Sequence, residues 1–382
     1  MKTFTSAPSV FVRVITFGFV LSALCLTAEA RQGTGKAVPP KSQAQVQALL
    51  KQAGLAYRQG QNEKALNYYQ QVLSIRKAIG DKAGETIILS NIGGVYSQTG
   101  QPQKALDYFQ QALPLARAAG NKVREAIILS NIGQVYSDTG QPQKALDYFQ
   151  QALPLLQAAG DKPQQATTLG NIGLVYSDTG QPQKALDYFQ QALSIKKAVG
   201  DKAGEATTLS NIGQVYSQTG QPQKALDYFQ QALPLAQVSG DKSQQAATLI
   251  NIGGAYFRIS QPQRALVYFQ QALAIEKAIG GKAGEATALN NIGQVYSDTG
   301  QPQKALDYLQ QALPIRKAIS DKAGEATTLG NIGSIYLDIG EPQKALDYYQ
   351  QALPLAQAAG DKAKEATISS HIDAITKAIS KP

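Results

Sequence analysis

The chain of 382 residues carries 36 Lys and Arg against 27 Asp and Glu, a formal charge of +9, with 34 Gly, 17 Pro, no Trp, one Cys and one His. A lone cysteine excludes an intrachain disulfide and a cysteine-built metal site, and a lone histidine leaves no imidazole pair for a metal or a proton relay. The basic residues are spaced at regular intervals and interleaved with Asp and Glu, a solvated pattern and not the concentrated stripe that a nucleic-acid surface needs.

At the start of the chain, Lys2 and Arg13 precede the apolar run Val14 to Leu26, and Ala28-Glu29-Ala30 supplies a small-x-small cleavage site. The run falls short of the ~20 residues that span a bilayer. Residues 1–30 are therefore expected to be a cleavable signal peptide, with the mature chain periplasmic or extracellular and not inserted in a membrane. Leu24 before Cys25 argues against lipidation, because a modified cysteine normally follows a small residue. Cleavage also removes Cys25, and with it any thiol nucleophile. Residues 31–42 (RQGTGKAVPPKS) read as a flexible linker by composition.

From there a forty-residue period governs the chain. NIGGVYSQTGQPQKALDYFQQA at 91–112 returns as NIGQVYSDTGQPQKALDYFQQA at 131–152 and NIGQVYSQTGQPQKALDYFQQA at 211–232, with further copies starting at 171, 251, 291 and 331. A fixed period in this range signals a solenoid whose units bury their apolar faces only against neighbours. In the copy starting at Asp201, Ala206, Leu209, Ile212, Val215 and Tyr216 follow the three-and-four spacing of a helix predicted over about Lys202 to Thr219. Gly220 ends it in a left-handed turn. Pro222 opens a second helix whose stripe is Ala225, Leu226, Phe229, Ala232 and Leu233. Gly240 closes that helix and Asp241 caps the next. The small residues Gly213, Ala225 and Ala232 are expected where adjacent backbones approach closely.

These positions resemble the tetratricopeptide repeat (TPR), whose large apolar residue, apolar-Gly step, aromatic, Ala, aromatic and Ala fall on Leu209, Ile212-Gly213, Tyr216, Ala225, Phe229 and Ala232. The first position is Leu where the family usually has an aromatic, and the period exceeds the usual 34. Longer units with an Asn-apolar-Gly step are similar to kinesin light chains, to Pins-type adaptors and to the repeats of bacterial, especially cyanobacterial, CHAT-associated proteins. The resemblance implies an all-α, right-handed superhelical solenoid of antiparallel pairs: eight over 43–360, then a capping helix in 361–382. Residues 43–80 are a divergent first unit, and Asp373 and Thr376 replace the packing Gly and Tyr in the cap. Pro114, Pro154, Pro234, Pro314 and Pro354 fall inside second helices and are expected to kink them.

No constellation for catalysis, a metal or a cofactor emerges, and the chain reads as non-enzymatic. His371 aligns with the recurring Asn of the repeats and has no second ligand or triad partner in view. Asp138-Thr139-Gly140 spells an aspartic-protease triplet, but in a turn between helices, where that chemistry has no paired lobe. Asp107, three residues from Lys104, suggests an exposed ion pair worth a few tenths of a kcal/mol.

In the family the first helices line the concave surface. The resemblance to the adaptors implies that Asn91, Asn131, Asn171, Asn211, Asn251, Asn291 and Asn331 hold the backbone of an extended peptide, with Gln134, Gln214 and Gln294 one turn further along. An amide donates and accepts at once, which suits a peptide bond whatever its side chain. The competing reading makes each Asn a rung that ties one unit to the next. With Arg258 the one base among the groove positions, a carboxylate clamp is not expected, and the ligand is an uncharged or mildly basic segment of a protein partner. The rival function is an accessory component of an envelope assembly, for secretion or polysaccharide export, that uses the convex face or the edges. Partner identity and oligomeric state are not legible in the sequence.

Overall fold

The computed structural model describes residues 40–380, and the described residues contain seventeen helices and no strand. They divide into two compact units, one ending at Gly200 and the other beginning at Asp201. The first unit holds α1 (Pro40–Arg58), α2 (Asn62–Ala78), α3 (Lys82–Gln98), α4 (Pro102–Ala118), α5 (Lys122–Asp138), α6 (Pro142–Ala159), α7 (Lys162–Asp178) and α8 (Pro182–Ala198). The second holds α9 (Lys202–Gln218), α10 (Pro222–Val238), α11 (Lys242–Arg258), α12 (Pro262–Ile279), α13 (Lys282–Asp298), α14 (Pro302–Ala318), α15 (Lys322–Asp338), α16 (Pro342–Ala358) and α17 (Lys362–Ile379). Sixteen helices form eight leading-and-trailing pairs, and α17 follows them. Because α1 begins at Pro40, the last three residues of the expected linker are helical; a proline at a helix start forfeits no hydrogen bond. The expected signal peptide and residues 31–39 lie outside the described residues.

Local chemistry sets these boundaries. Gly220 takes φ 74° after α9, and Pro222 follows the N-cap of α10. The Asp241 carboxylate accepts from the Gln244 backbone N–H at 2.9 Å at the start of α11. Ser260 and Ser320 hold the same left-handed turn at φ 60° and 56°, without glycine's freedom. The internal prolines do not end their helices: α4 runs four residues past Pro114 and has the bounds of α8, which carries Ser194 there.

Each pair closes on its apolar stripes. Leu209, Ile212 and Val215 of α9 are buried with Ala225, Leu226, Phe229 and Ala232 of α10. Tyr216, placed in the stripe by its spacing, is only half-buried; it stacks on Tyr228 at 5.4 Å with the Lys224 ammonium 5.3 Å from its ring. The arrangement recurs, for example at Tyr136, Tyr148 and Lys144. Lys104 likewise sits over Tyr96 and donates to Gln101 Oε1, while Asp107 accepts from Gln103, so the expected Lys104–Asp107 pair does not form. Gly213 faces the Phe229 ring: a Cβ there would lie 2.6 Å from the nearest ring carbon.

The junctions between pairs obey a rule of complementary size. Where the trailing helix offers Ala116, Ala236 or Ala356, the next leading helix offers Arg124, Gln244 or Lys364, and only Leu156 with Gln164 departs from the pattern among these junctions. Where it offers Arg76, Glu276 or Arg316, the partner is Gly84, Gly284 or Gly324. Carbons of the Arg76 and Arg316 side chains lie 2.7 Å from where a Cβ of Gly84 or Gly324 would be. Either side of a junction can serve the same hydroxyl position. Arg316 donates to Thr287 at 2.7 Å from the trailing helix, and Lys364 donates to Thr327 at 2.7 Å from the next leading one. Arg76 and Arg316 also pair with the capping carboxylates of Asp81 and Asp321. At the α12–α13 junction the cap is Gly281, and the buried Glu276 carboxylate fills the space over the helix start that Asp321 fills at α15.

Candidate binding groove

Successive leading helices touch directly, α3 with α5 and α5 with α7 in the first unit, and α9, α11, α13 and α15 in turn in the second. Trailing helices are splayed further apart. Each unit therefore presents an inner face built from leading helices. Side chains bridge them: Ser130 and Thr168 hydroxyls meet at 3.1 Å, Gln244 donates to the Ala203 carbonyl at 3.0 Å, and Arg258 donates to the Ser217 carbonyl at 3.3 Å.

Residues four and seven apart share one helix stripe, which defines the groove lining. In the first unit the stripes are Ile87, Asn91, Gly94 and Gln98 on α3; Ile127, Asn131, Gln134 and Asp138 on α5; and Thr167, Asn171, Leu174 and Asp178 on α7. Asn91, Asn131 and Asn171 are half-buried, as are Gln134 and Leu174, and Gln98, Asp138 and Asp178 are exposed. In the second unit Asn211, Asn291 and Gln214 are buried, Asn251 is 0% exposed, and Asn331 and Gln294 are half-buried. The seven amides thus occupy equivalent helix positions but differ in exposure.

Their hydrogen bonding differs from position to position. Asn331 donates to Asn290 Oδ1 of the preceding leading helix at 3.2 Å, and that oxygen also accepts from Thr328 at 3.4 Å. This is a rung between neighbouring repeats, and it uses the Asn at 290, where the other repeats carry Ser90, Ser130, Gly170, Ser210, Ile250 and Gly330. The side chains of Asn91, Asn131 and Asn171 have no hydrogen-bond partner among the described residues. Both amide atoms of Asn251 and Oδ1 of Asn211 are buried and also unpartnered. An unmade hydrogen bond on a buried amide costs ~1–3 kcal/mol; among the described residues the row makes one side-chain hydrogen bond between repeats, at Asn331.

One turn along, Gln134 donates to Asp138 at 2.7 Å and Gln294 to Asp298 at 2.9 Å. Burial raises the Asp298 pKa, the Gln294 hydrogen bond opposes that shift, and the Asp338 charge adds to it. Burial lowers the Arg258 pKa. The lining combines amides, hydroxyls, carboxylates and apolar side chains, a surface for holding and orienting a polar chain. Among the described residues no cluster of three or more His, Cys, Asp or Glu could hold a metal ion, and no helix is long and apolar enough to cross a membrane. His371, at the Asn position of α17, stacks on Tyr349 at 4.9 Å, and burial lowers its pKa. It packs the last helix against α16. Asp138-Thr139-Gly140 ends α5, as its turn chemistry requires.

One helical turn before Asn91 and Asn131, Ile87 and Ile127 add a half-buried apolar strip to the groove, which the period of the Asn row alone does not mark.

The chain matches the tetratricopeptide repeat family over residues 45–118, 124–198, 204–278, 244–318 and 284–358. No curated protein matches it. Among solved structures it is similar to a signal-transduction ATPase with numerous domains (STAND) that carries a tetratricopeptide repeat sensor, from Pyrococcus horikoshii, at 17% identity and a TM-score of 0.64. That match covers 86% of this chain and 50% of the other, so the chain spans about half that protein's length. It is also similar to the apo quorum sensor NprR from B. thuringiensis (15% identity, TM-score 0.61, covering 81% of this chain and 88% of that one). A third likeness is to the Rap conjugation gene regulator of plasmid pLS20, solved in complex with the Phr* peptide (18% identity, TM-score 0.56, covering 78% and 82%). At these identities the likeness is one of fold.

Proposed function

The chain belongs to the tetratricopeptide repeat family, and we propose that it is a non-enzymatic scaffold that holds an extended segment of a partner protein against its leading helices. The observation that carries this reading is the row Asn91, Asn131 and Asn171 at one register of the first unit, half-buried and with side chains without partners among the described residues. Each amide can accept from a peptide N–H and donate to a peptide carbonyl. Each such bond contributes ~0.5–1.5 kcal/mol net, so affinity comes from the row and not from one residue. Together the bonds offset the ~2–5 kcal/mol that ordering a segment costs. The Rap regulator solved with a peptide supports the reading as a precedent for the fold. Export through a leader at residues 1–30 completes the proposal, with a partner in the periplasm or outside the cell.

The test is capture of partners from envelope extracts by the chain and by a variant with Asn91, Asn131 and Asn171 all changed to Ala. A partner held by the parent and lost by the variant supports the groove. A partner held equally by both moves the contact elsewhere and favours the accessory-component reading. The trailing-helix ends would then be the place to look, because Val238 is 78% exposed there with Ile279 and Ile319 also exposed.

A further inference from the structure

The groove of the first unit is banded along its helices. The Asn91, Asn131 and Asn171 amides form the middle band. One turn toward the helix starts lie Ile87 and Ile127, half-buried and apolar, with Thr167 at the same position on α7; outside this groove Thr207, Thr287 and Thr327 hold that position. Two turns toward the helix ends lie the exposed carboxylates of Asp138 and Asp178. From the chemistry of these bands we infer that α3, α5 and α7 take an extended segment whose side chains alternate between apolar and basic. This rests on the proposed groove and names its ligand class.

A strand laid across the helices, with its backbone over the amides, sends successive side chains to opposite sides. One set then points toward Ile87 and Ile127, the other toward Asp138 and Asp178. The distances fit side chains of different length: four residues along a helix is ~6 Å and seven is ~10.5 Å. A branched apolar side chain reaches the near band, and only a long side chain such as Lys or Arg reaches the far one. Leading helices stand ~10 Å apart, so three of them span ~20 Å, or about six extended residues at ~3.3 Å each. The ligand therefore presents two apolar positions, toward Ile87 and Ile127, and two basic ones, toward Asp138 and Asp178, in alternation within about six extended residues. An acidic segment would instead set carboxylates against Asp138 and Asp178.

The experiment uses the full chain and fluorescently labelled peptides in an anisotropy titration at low and high salt. The probes are Val-Lys repeated three times, Val-Glu repeated three times, and the first composition rearranged into a block of Val and a block of Lys. Two paired variants accompany the parent: Asp138→Asn with Asp178→Asn, and Ile87→Thr with Ile127→Thr, the latter installing the residue other copies carry. The Val-Lys peptide is expected to bind, to weaken about tenfold in the Asp pair with loss of its salt dependence, and to weaken severalfold in the Ile pair. The blocked and Val-Glu peptides bind much more weakly. The inference is overturned by equal binding of the Val-Glu or blocked peptide, by no binding of the Val-Lys peptide, or by indifference to both paired variants. If such an indifferent peptide is still lost on changing Asn91, Asn131 and Asn171 to Ala, the groove stands and the alternation falls. If it is not lost, both fall.

Discussion

A methyl group placed on Gly213 tests how the helix pairs close. The added Cβ would lie 2.6, 2.8 and 3.0 Å from three carbons of the Phe229 ring, against an optimal separation of ~3.5–4.0 Å. Phe229 is 0% exposed and its ring is wedged between α9 and α10, so relief requires the helices to part. Overpacking of this kind costs ~1–3 kcal/mol, while Gly→Ala inside a helix returns ~1 kcal/mol of propensity. The net expectation for Gly213→Ala is a loss of up to ~2 kcal/mol. The repeats supply internal controls. At Gly293 the neighbour is the aliphatic Leu309, with its Cγ at 2.9 Å, and it can rotate aside. At Gly333 the nearest atom, of Tyr349, is 3.2 Å away, so the propensity gain dominates there. Urea titrations followed by circular dichroism should therefore rank the midpoints Gly213→Ala lowest, Gly293→Ala intermediate, and Gly333→Ala at or above the parent. Midpoints are compared because a repeat array need not unfold in one step. Equal midpoints for all three, or Gly333→Ala below Gly213→Ala, would refute the ring-seat explanation.

The junctions and turns yield further expectations. Asp321→Ala removes the cap to the Gly324 N–H at 2.8 Å and strands the guanidinium of Arg316, itself 7% exposed, so a loss of ~3–5 kcal/mol is expected in denaturant titration. Asp161→Ala removes a cap alone and should cost ~1 kcal/mol; comparable losses at the two sites would contradict the pairing. Burial, reinforced by the charge of Glu285, raises the Glu276 pKa. Its contribution therefore favours the folded state at low pH and is lost as pH rises through the raised value. Melting from about pH 4 to 7 should show Glu276→Gln gaining on the parent toward neutrality, and parallel curves would exclude Glu276 as the source. Ser320→Gly, at φ 56°, should raise the thermal midpoint by the equivalent of ~1 kcal/mol, and an unchanged midpoint would mean the turn carries no strain.

What was legible in the sequence was what local chemistry decides. Gly220, Pro222 and Asp241 mark a helix end, a helix start and a cap because each acts within a few residues of itself. Tyr216 has helical spacing like its buried neighbours, yet its ring lies against Tyr228 across the turn and stays half-buried. Gly213 reads as a site of close backbone approach, but its space is taken by a ring sixteen positions on. Lys104 has Asp107 three residues ahead but instead meets the N-cap amide of Gln101 three residues behind and the Tyr96 ring of the preceding helix. The candidate site divides the same way. Period and stripe place all seven Asn at one helical register, whereas their burial, and the single rung at Asn331, depend on neighbouring helices that a linear pattern does not report.

The complementary junctions have a consequence for how such a gene can change length. Each large-with-small pair, such as Ala116 with Arg124 or Arg316 with Gly324, lies in the variable stretch between two copies of the shared NIG…QQAL block. Unequal crossing-over needs near-identical sequence, so it falls in the shared block and moves both members of a pair together. Copies can then be gained or lost without an Arg meeting an Arg or an Ala facing a Gly. The unit of inheritance is the seam between two helix pairs, and the pair itself is only what two neighbouring seams enclose.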